Sequence, residues 1–235
     1  MIPEAVRLSD VQFRWAPTEP LVLDIASFSV QQGERVFIQG PSGSGKSTLL
    51  NLLGGVASRQ SGVIEVLGTA LHSLKRSQRD AFRADHIGFI FQLFNLLPYL
   101  GLVQNVTLPC RFSATRRARA VEQSGSLEQE ARRLLGRMQL DVDALASRPV
   151  AHLSVGQQQR VAAARALIGM PEIVIADEPT SAIDADAKLA FLDLLFEEIK
   201  GSGSTLIYVS HDAGLEGRFD RVVAFSGINR TALAA

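Results

Sequence analysis

A chain of 235 residues that is 46% hydrophobic and 20% charged is long enough to bury a sizeable core, which excludes a disordered segment as its default state. Its 24 basic and 24 acidic residues cancel, leaving no electrostatic footprint for nucleic acid or for an anionic membrane surface. The single cysteine, Cys110, excludes an internal disulfide framework, and the opening "MIPEAVRLSD" lacks the basic-then-apolar layout of a signal peptide, which points to the cytoplasm.

In chain order, the first forty residues alternate like strands. Val11, Phe13 and Trp15 share one face and Gln12 and Arg14 the other, and "LVLDIASFSV" and "ERVFIQG" follow as further strands of an antiparallel layer. After Gly40 the pattern changes to strand, glycine loop and helix. "GPSGSGKST", Gly40 to Thr48, follows the strand "VFIQ" and opens the helix "LLNLLGG", the context in which GxxxxGK[ST] acts as a phosphate loop. Its backbone N–H groups would curl round the β- and γ-phosphates, Lys46 would bridge them, and the Ser47 hydroxyl would go to Mg²⁺.

The segment Ile87 to Val106 is apolar and without charge, long enough on length alone to span a bilayer. Gln92, Asn95, Pro98, Gln104 and Asn105 interrupt it, so it reads instead as a buried strand ending at Gln92, then an apolar loop and a short helix. Gln92 is a neutral side chain placed to contact Mg²⁺ and an attacking water. A mostly helical stretch runs from about residue 93 to 168. Its arginine cluster, "SATRRARAVEQSGSLEQEARRLL", reads as a solvated helix face rather than a nucleic-acid patch, because acidic residues follow closely.

Within that stretch, "LSVGQQQRVAAARAL" begins with a capping box. Ser154 is followed three residues on by Gln157, and apolar residues then recur at helical spacing until Pro171 forbids continuation. A helix N-terminus of this kind suits solvent or an anion such as phosphate. Next, "IVIADEP" sets Asp177 and Glu178 at the carboxyl end of an apolar strand, where α/β sheets bind ligands. Asp177 would hold Mg²⁺ through water, and Glu178 would be the base that polarises the attacking water. His211 ends the apolar strand "TLIYVS" in the same way, placed to touch a γ-phosphate, whereas His72, His86 and His152 read as surface or packing residues.

The order of these parts, including "TSAID" after "IVIADEP", resembles an ABC-type ATPase, the nucleotide-binding subunit of an ATP-binding cassette system, over nearly the whole chain. Within that family, "GPSGSGKSTLLNLLGG", "IGFIFQLFNLLP", "QNVTLP" and "LSVGQQQRVAAARAL" are similar to the LolD, MacB and FtsE-like group. The resemblance implies an α/β fold: a P-loop NTPase core with a mainly parallel sheet, an N-terminal antiparallel β-subdomain and a helical signature subdomain. In one domain, about 1–92 and 169–235 would form the core and 93–168 the helical part.

It further implies ATP and Mg²⁺ as ligands, with Gly40, Pro41, Ser42, Gly43, Ser44, Gly45, Lys46, Ser47 and Thr48 around the phosphates. Two copies would pack head to tail, so that Ser154, Gly156 and Gln157 of one chain, with Asp184 of "TSAID", touch the nucleotide held by the other. Trp15 would stack on adenine, although its spacing after Val11 and Phe13 suits a core position equally. The implied partner is a separate integral membrane permease of the MacB or FtsX type, docked near Gln92 on Leu93, Phe94, Leu96, Leu97 and Tyr99 unless these are buried. The chain would then lie on the cytoplasmic face of the inner (plasma) membrane and bind no nucleic acid. An FtsE-like ATPase that regulates a membrane partner without transport would share every motif. Three positions depart from the family: Val155 stands where Gly is usual, Ile183 where Leu is usual, and Gln104 where this group has Glu. "TSAID" likewise replaces the group's frequent "TGNLD".

Overall fold

The computed structural model describes residues 2–57, 61–145 and 148–233, and the chain packs as two compact units, Met1–Arg83 with Thr205–Ala235, and Ala84–Ser204. In the first unit, β1 (Glu4–Phe13), β2 (Leu23–Gln31), β4 (Ser61–Val66) and β5 (Thr69–Ala70) form an antiparallel sheet in the order β2-β1-β4-β5. Buried positions along β1 shift parity between Leu8 and Val11, because a bulge at Asp10, with φ 50°, breaks its register with β4 between Ser9 and Gln12. Gly62 lies against the bulge: a Cβ there would stand 2.2 Å from the Asp10 carbonyl oxygen. Strand β4 is one that the alternation of the sequence did not reveal.

The strand "RVFIQ", β3 (Arg35–Gln39), does not join that antiparallel layer as expected. It pairs in parallel with β8 (Thr205–Ser210) and with β9 (Arg221–Ala224). Val36, Phe37 and Ile38 are all fully buried, a continuous apolar run that suits a strand covered on both faces rather than one. Phe37 stacks on Tyr208 of β8 with ring centroids 5.9 Å apart. Helix α1 (Lys46–Leu53) follows β3, helix α2 (Arg76–His86) leads out of this unit, and the short α9 (Phe225–Ile228) follows β9.

In the second unit β6 (Ile87–Ile90) pairs in parallel with β7 (Ile173–Asp177). Helices α3 (Leu102–Thr107), α4 (Ala114–Ser124), α5 (Leu127–Arg137), α6 (Val142–Leu145), α7 (Val155–Leu167) and α8 (Ala185–Ser202) complete it. The stretch from Ile87 to Val106 is thus a strand, a loop and a short helix as expected, and no helix among the described residues is long and apolar enough to cross a membrane.

The arginine cluster is not simply a solvated face. Arg116 on α4 is 2% exposed and donates to the carbonyls of Ile168 (2.8 Å), Ala166 (2.7 Å), Arg165 (3.4 Å) and Ile87 (3.5 Å). It satisfies the orphan carbonyls that end α7, and burial pushes its pKa down to about 10. Arg116→Met is expected to lower the unfolding free energy by roughly 3 kcal/mol, since buried acceptors lose a charged donor. The urea midpoint reads this directly, and a shift within error would mean that the carbonyls find other donors.

Candidate functional site

In the first unit the phosphate-loop motif forms the expected turn between β3 and α1. Gly43 and Gly45 take φ of 78° and 104°, left-handed backbone that leaves the loop open on one side, with Pro41, Ser42 and Gly43 exposed. Lys46 is 6% exposed, and its Nζ donates to the loop's own Gly40 and Pro41 carbonyls at 2.7 Å each, so the ammonium sits inside the loop that it opens. Ser44 Oγ is buried with no hydrogen-bond partner among the described residues. The first turn of α1 carries no acidic side chain. An orphaned hydroxyl, an enclosed ammonium and a helix N-terminus converge on one small volume, and a polyphosphate satisfies all three.

Thr48 is buried and Ser47 exposed, which leaves the Ser47 hydroxyl open to a metal ion. Mg²⁺ binds by one or two protein oxygens plus phosphates and water, so a nucleotide-borne ion fits a unit where a single hydroxyl is offered. Among the described residues no group of three or more His, Cys, Asp or Glu could hold a metal by itself.

Trp15 is not part of the strand face with Val11 and Phe13. β1 ends at Phe13, and Trp15 is 59% exposed, its ring edge-on to that of Phe13 at 4.9 Å and 89°. The core position is therefore excluded, and the indole presents itself to solvent or a ligand. His211 follows the last residue of β8 and is exposed.

In the second unit β7 is buried through Ala176 and delivers Asp177 at its end. Glu178, 9% exposed, adopts φ 43°, a left-handed turn that costs a non-glycine residue about 1–2 kcal/mol. Such a cost at the second of two adjacent carboxylates persists only where surrounding structure fixes it. Part of that structure is Gln159 of α7, 1% exposed, whose Nε2 donates to the Pro179 carbonyl at 2.8 Å. Sequence reasoning gave Gln159 no role; the signal was an amide at the head of an alanine-rich buried run.

The capping box is present: Ser154 Oγ accepts from Gln157 N at 3.3 Å, and Gln157 Oε1 accepts from Ser154 N at 3.0 Å. Ser154 and Val155 are exposed, and a Cβ on Gly156 would meet nothing within 4 Å, so this helix end is sterically open. Asp184 caps α8, its Oδ1 accepting from Ala187 N at 2.9 Å, and it too is exposed.

Gln92 lies just beyond β6 and is exposed. Two residues on, Phe94 and Asn95 are both left-handed, with φ 60° and 50°, and their carbonyls accept from Arg165 of α7 at 2.5 and 2.6 Å. Arg165 was another residue that local spacing did not mark; desolvation lowers its pKa to about 10. The apolar residues after Gln92 divide, Leu93 (83% exposed) and Tyr99 (74%) pointing outward while Phe94 is buried. Asn105 is fully buried and shapes this loop by accepting from Leu97 N and donating to the carbonyls of Leu97, Leu100 and Gly101. Helix α7 thus ties Ser154, the Pro179 turn and the loop after Gln92 into one frame.

Comparison with known proteins identifies the family of this chain. The profile of the ABC transporter family matches residues 23–181. The lipoprotein-releasing system ATP-binding protein LolD of Novosphingobium aromaticivorans is 41% identical over 202 residues, 86% of either chain. The uncharacterized ABC transporter ATP-binding protein Rv0986 of Mycobacterium tuberculosis is 37% identical over 227 residues, 94% of this chain and 87% of that one. The probable export ATP-binding/permease protein MacB of Pseudomonas entomophila is 39% identical over 94% of this chain but only 32% of its own length. Among solved structures, the dimeric post-hydrolysis state of the ATP-binding cassette MJ0796 with ADP and Pi superposes with a TM-score of 0.81 at 34% identity, covering 93% of each chain.

Proposed function

Since this chain belongs to the ABC transporter family, as one of its ATP-hydrolysing, ATP-binding subunits, we propose that it closes as a dimer around ATP and Mg²⁺ and so drives a separate integral membrane permease. Lys46 and the glycine loop bind the β- and γ-phosphates, with Ser44 Oγ as an added donor. Ser47, Gln92 and, through water, Asp177 would hold Mg²⁺, which would neutralise phosphate charge. Glu178 takes the proton of the attacking water, His211 contacts the γ-phosphate, and Trp15 stacks on adenine. Ser154, Gly156, Gln157 and Asp184 serve the nucleotide of the other copy.

The observation that carries the dimer is the N-terminus of α7. It is exposed, capped, free of acidic residues in its first turn and open at Gly156, an anion site turned to solvent. That MJ0796 is dimeric with ADP and Pi supports the same arrangement. The permease is of the MacB or FtsX type in this reading, docking on Leu93 and Tyr99, and it holds the chain at the cytoplasmic face of the inner (plasma) membrane. Affinity capture of tagged Glu178→Gln chain from native membranes with ATP and Mg²⁺ tests this. A stoichiometric integral membrane protein is expected; recovery of the homodimer alone, or of soluble partners only, would overturn the permease coupling.

A further inference from the structure

We propose that Asn229 is a positioning residue that fixes the span between the adenine platform and the phosphate loop, and so makes this site select nucleoside triphosphate over bare polyphosphate. The inference rests on Trp15 being that platform. Asn229 is 0% exposed, and its side chain binds only residues far away along the chain. Its Oδ1 accepts from Asp24 N at 2.9 Å, and its Nδ2 donates to the carbonyls of Val22 (3.0 Å) and Ser44 (3.4 Å). One buried amide therefore joins the start of β2 to the phosphate loop.

Val22 is the hub of this joint. Its carbonyl also accepts from Thr231 Oγ1 at 3.1 Å and stands 3.1 Å from where a Cβ on Gly45 would be, so the loop is seated directly on it. On its other side, Val22 N donates to the Phe13 carbonyl at 2.8 Å, and the Phe13 ring carries Trp15. The path Trp15, Phe13, Val22, Asn229, Ser44 is short, with Phe13 and Asn229 buried and Val22 and Ser44 half-buried, and its bonds are separate from those that shape the loop itself. That shape comes from the left-handed glycines and from Lys46 on the Gly40 and Pro41 carbonyls.

Loss of the amide should thus leave phosphate binding intact and degrade simultaneous binding of base and phosphates. The test is titration of ATP and of inorganic tripolyphosphate into the parent, Asn229→Ala, Trp15→Ala and the double variant. Asn229→Ala is expected to weaken ATP about tenfold and tripolyphosphate less than about twofold, and the double variant to be no worse than Trp15→Ala alone. Equal losses for both ligands, no loss for ATP, or a double variant weaker by about the product of the single losses would overturn the proposal. If Trp15→Ala by itself leaves ATP unchanged, it is the adenine platform that fails. Thr231→Val and Asn229→Ser disturb the same joint more gently, and should move the ATP-to-tripolyphosphate ratio in the same direction even if Asn229→Ala does not fold.

Discussion

Glu178→Gln is expected to bind ATP as the parent does and to hydrolyse it roughly 10² to 10⁴ times more slowly. The substitution keeps side-chain volume in a site that is nearly closed, and glutamine meets the same left-handed backbone at φ 43° that glutamate does. What it removes is the ability to accept a proton from the attacking water. Packing around the turn should survive, because Gln159 anchors the Pro179 carbonyl and not the carboxylate. Single-turnover phosphate release, with nucleotide binding measured in parallel, separates the two effects. Unchanged turnover would remove Glu178 from the role of base, and lost binding would mean that the carboxylate is structural.

Ser154→Arg should abolish ATP-driven dimerisation while each chain still takes up nucleotide. The hydroxyl at this position works inward as an acceptor for Gln157 N, and remains able to donate outward. Arginine cannot accept, so the cap is lost, and its long charged side chain fills the open space that Gly156 keeps clear. Loss of the cap alone costs about 0.5–2 kcal/mol of helix stability, so Ser154→Ala serves as the control for that part. Sedimentation of the slow-turnover Glu178→Gln form with ATP gives the readout. Dimers that persist in Ser154→Arg would place the N-terminus of α7 away from the interface.

Much of the site was legible because its signals are local. Strand, glycine loop and helix adjoin within residues 35–53, Ser154 and Gln157 bond to each other, and Asp177 and Glu178 follow their strand directly. What escaped depends on distant partners. Arg116, Gln159, Arg165 and Asn229 all donate to backbone carbonyls, which every residue possesses, so no complementary side chain elsewhere in the sequence betrays them. Periodicity likewise carried Trp15 too far, since nothing in its alternation marks the end of β1 at Phe13. It also placed β3 in the wrong layer, because an apolar strand does not name its neighbours.

The pairing of Arg165 with the Phe94 and Asn95 carbonyls bears on how the protein responds to ionic strength. No carboxylate partners this guanidinium among the described residues; carbonyl dipoles fixed in the fold oppose its charge, out of reach of buffer ions. The exposed pair Arg137 with Glu197 has no such shelter and weakens as counterions accumulate. From dilute buffer to molar salt, the surface of the helical region loses its electrostatic lacing while the backbone beyond Gln92 keeps its shape.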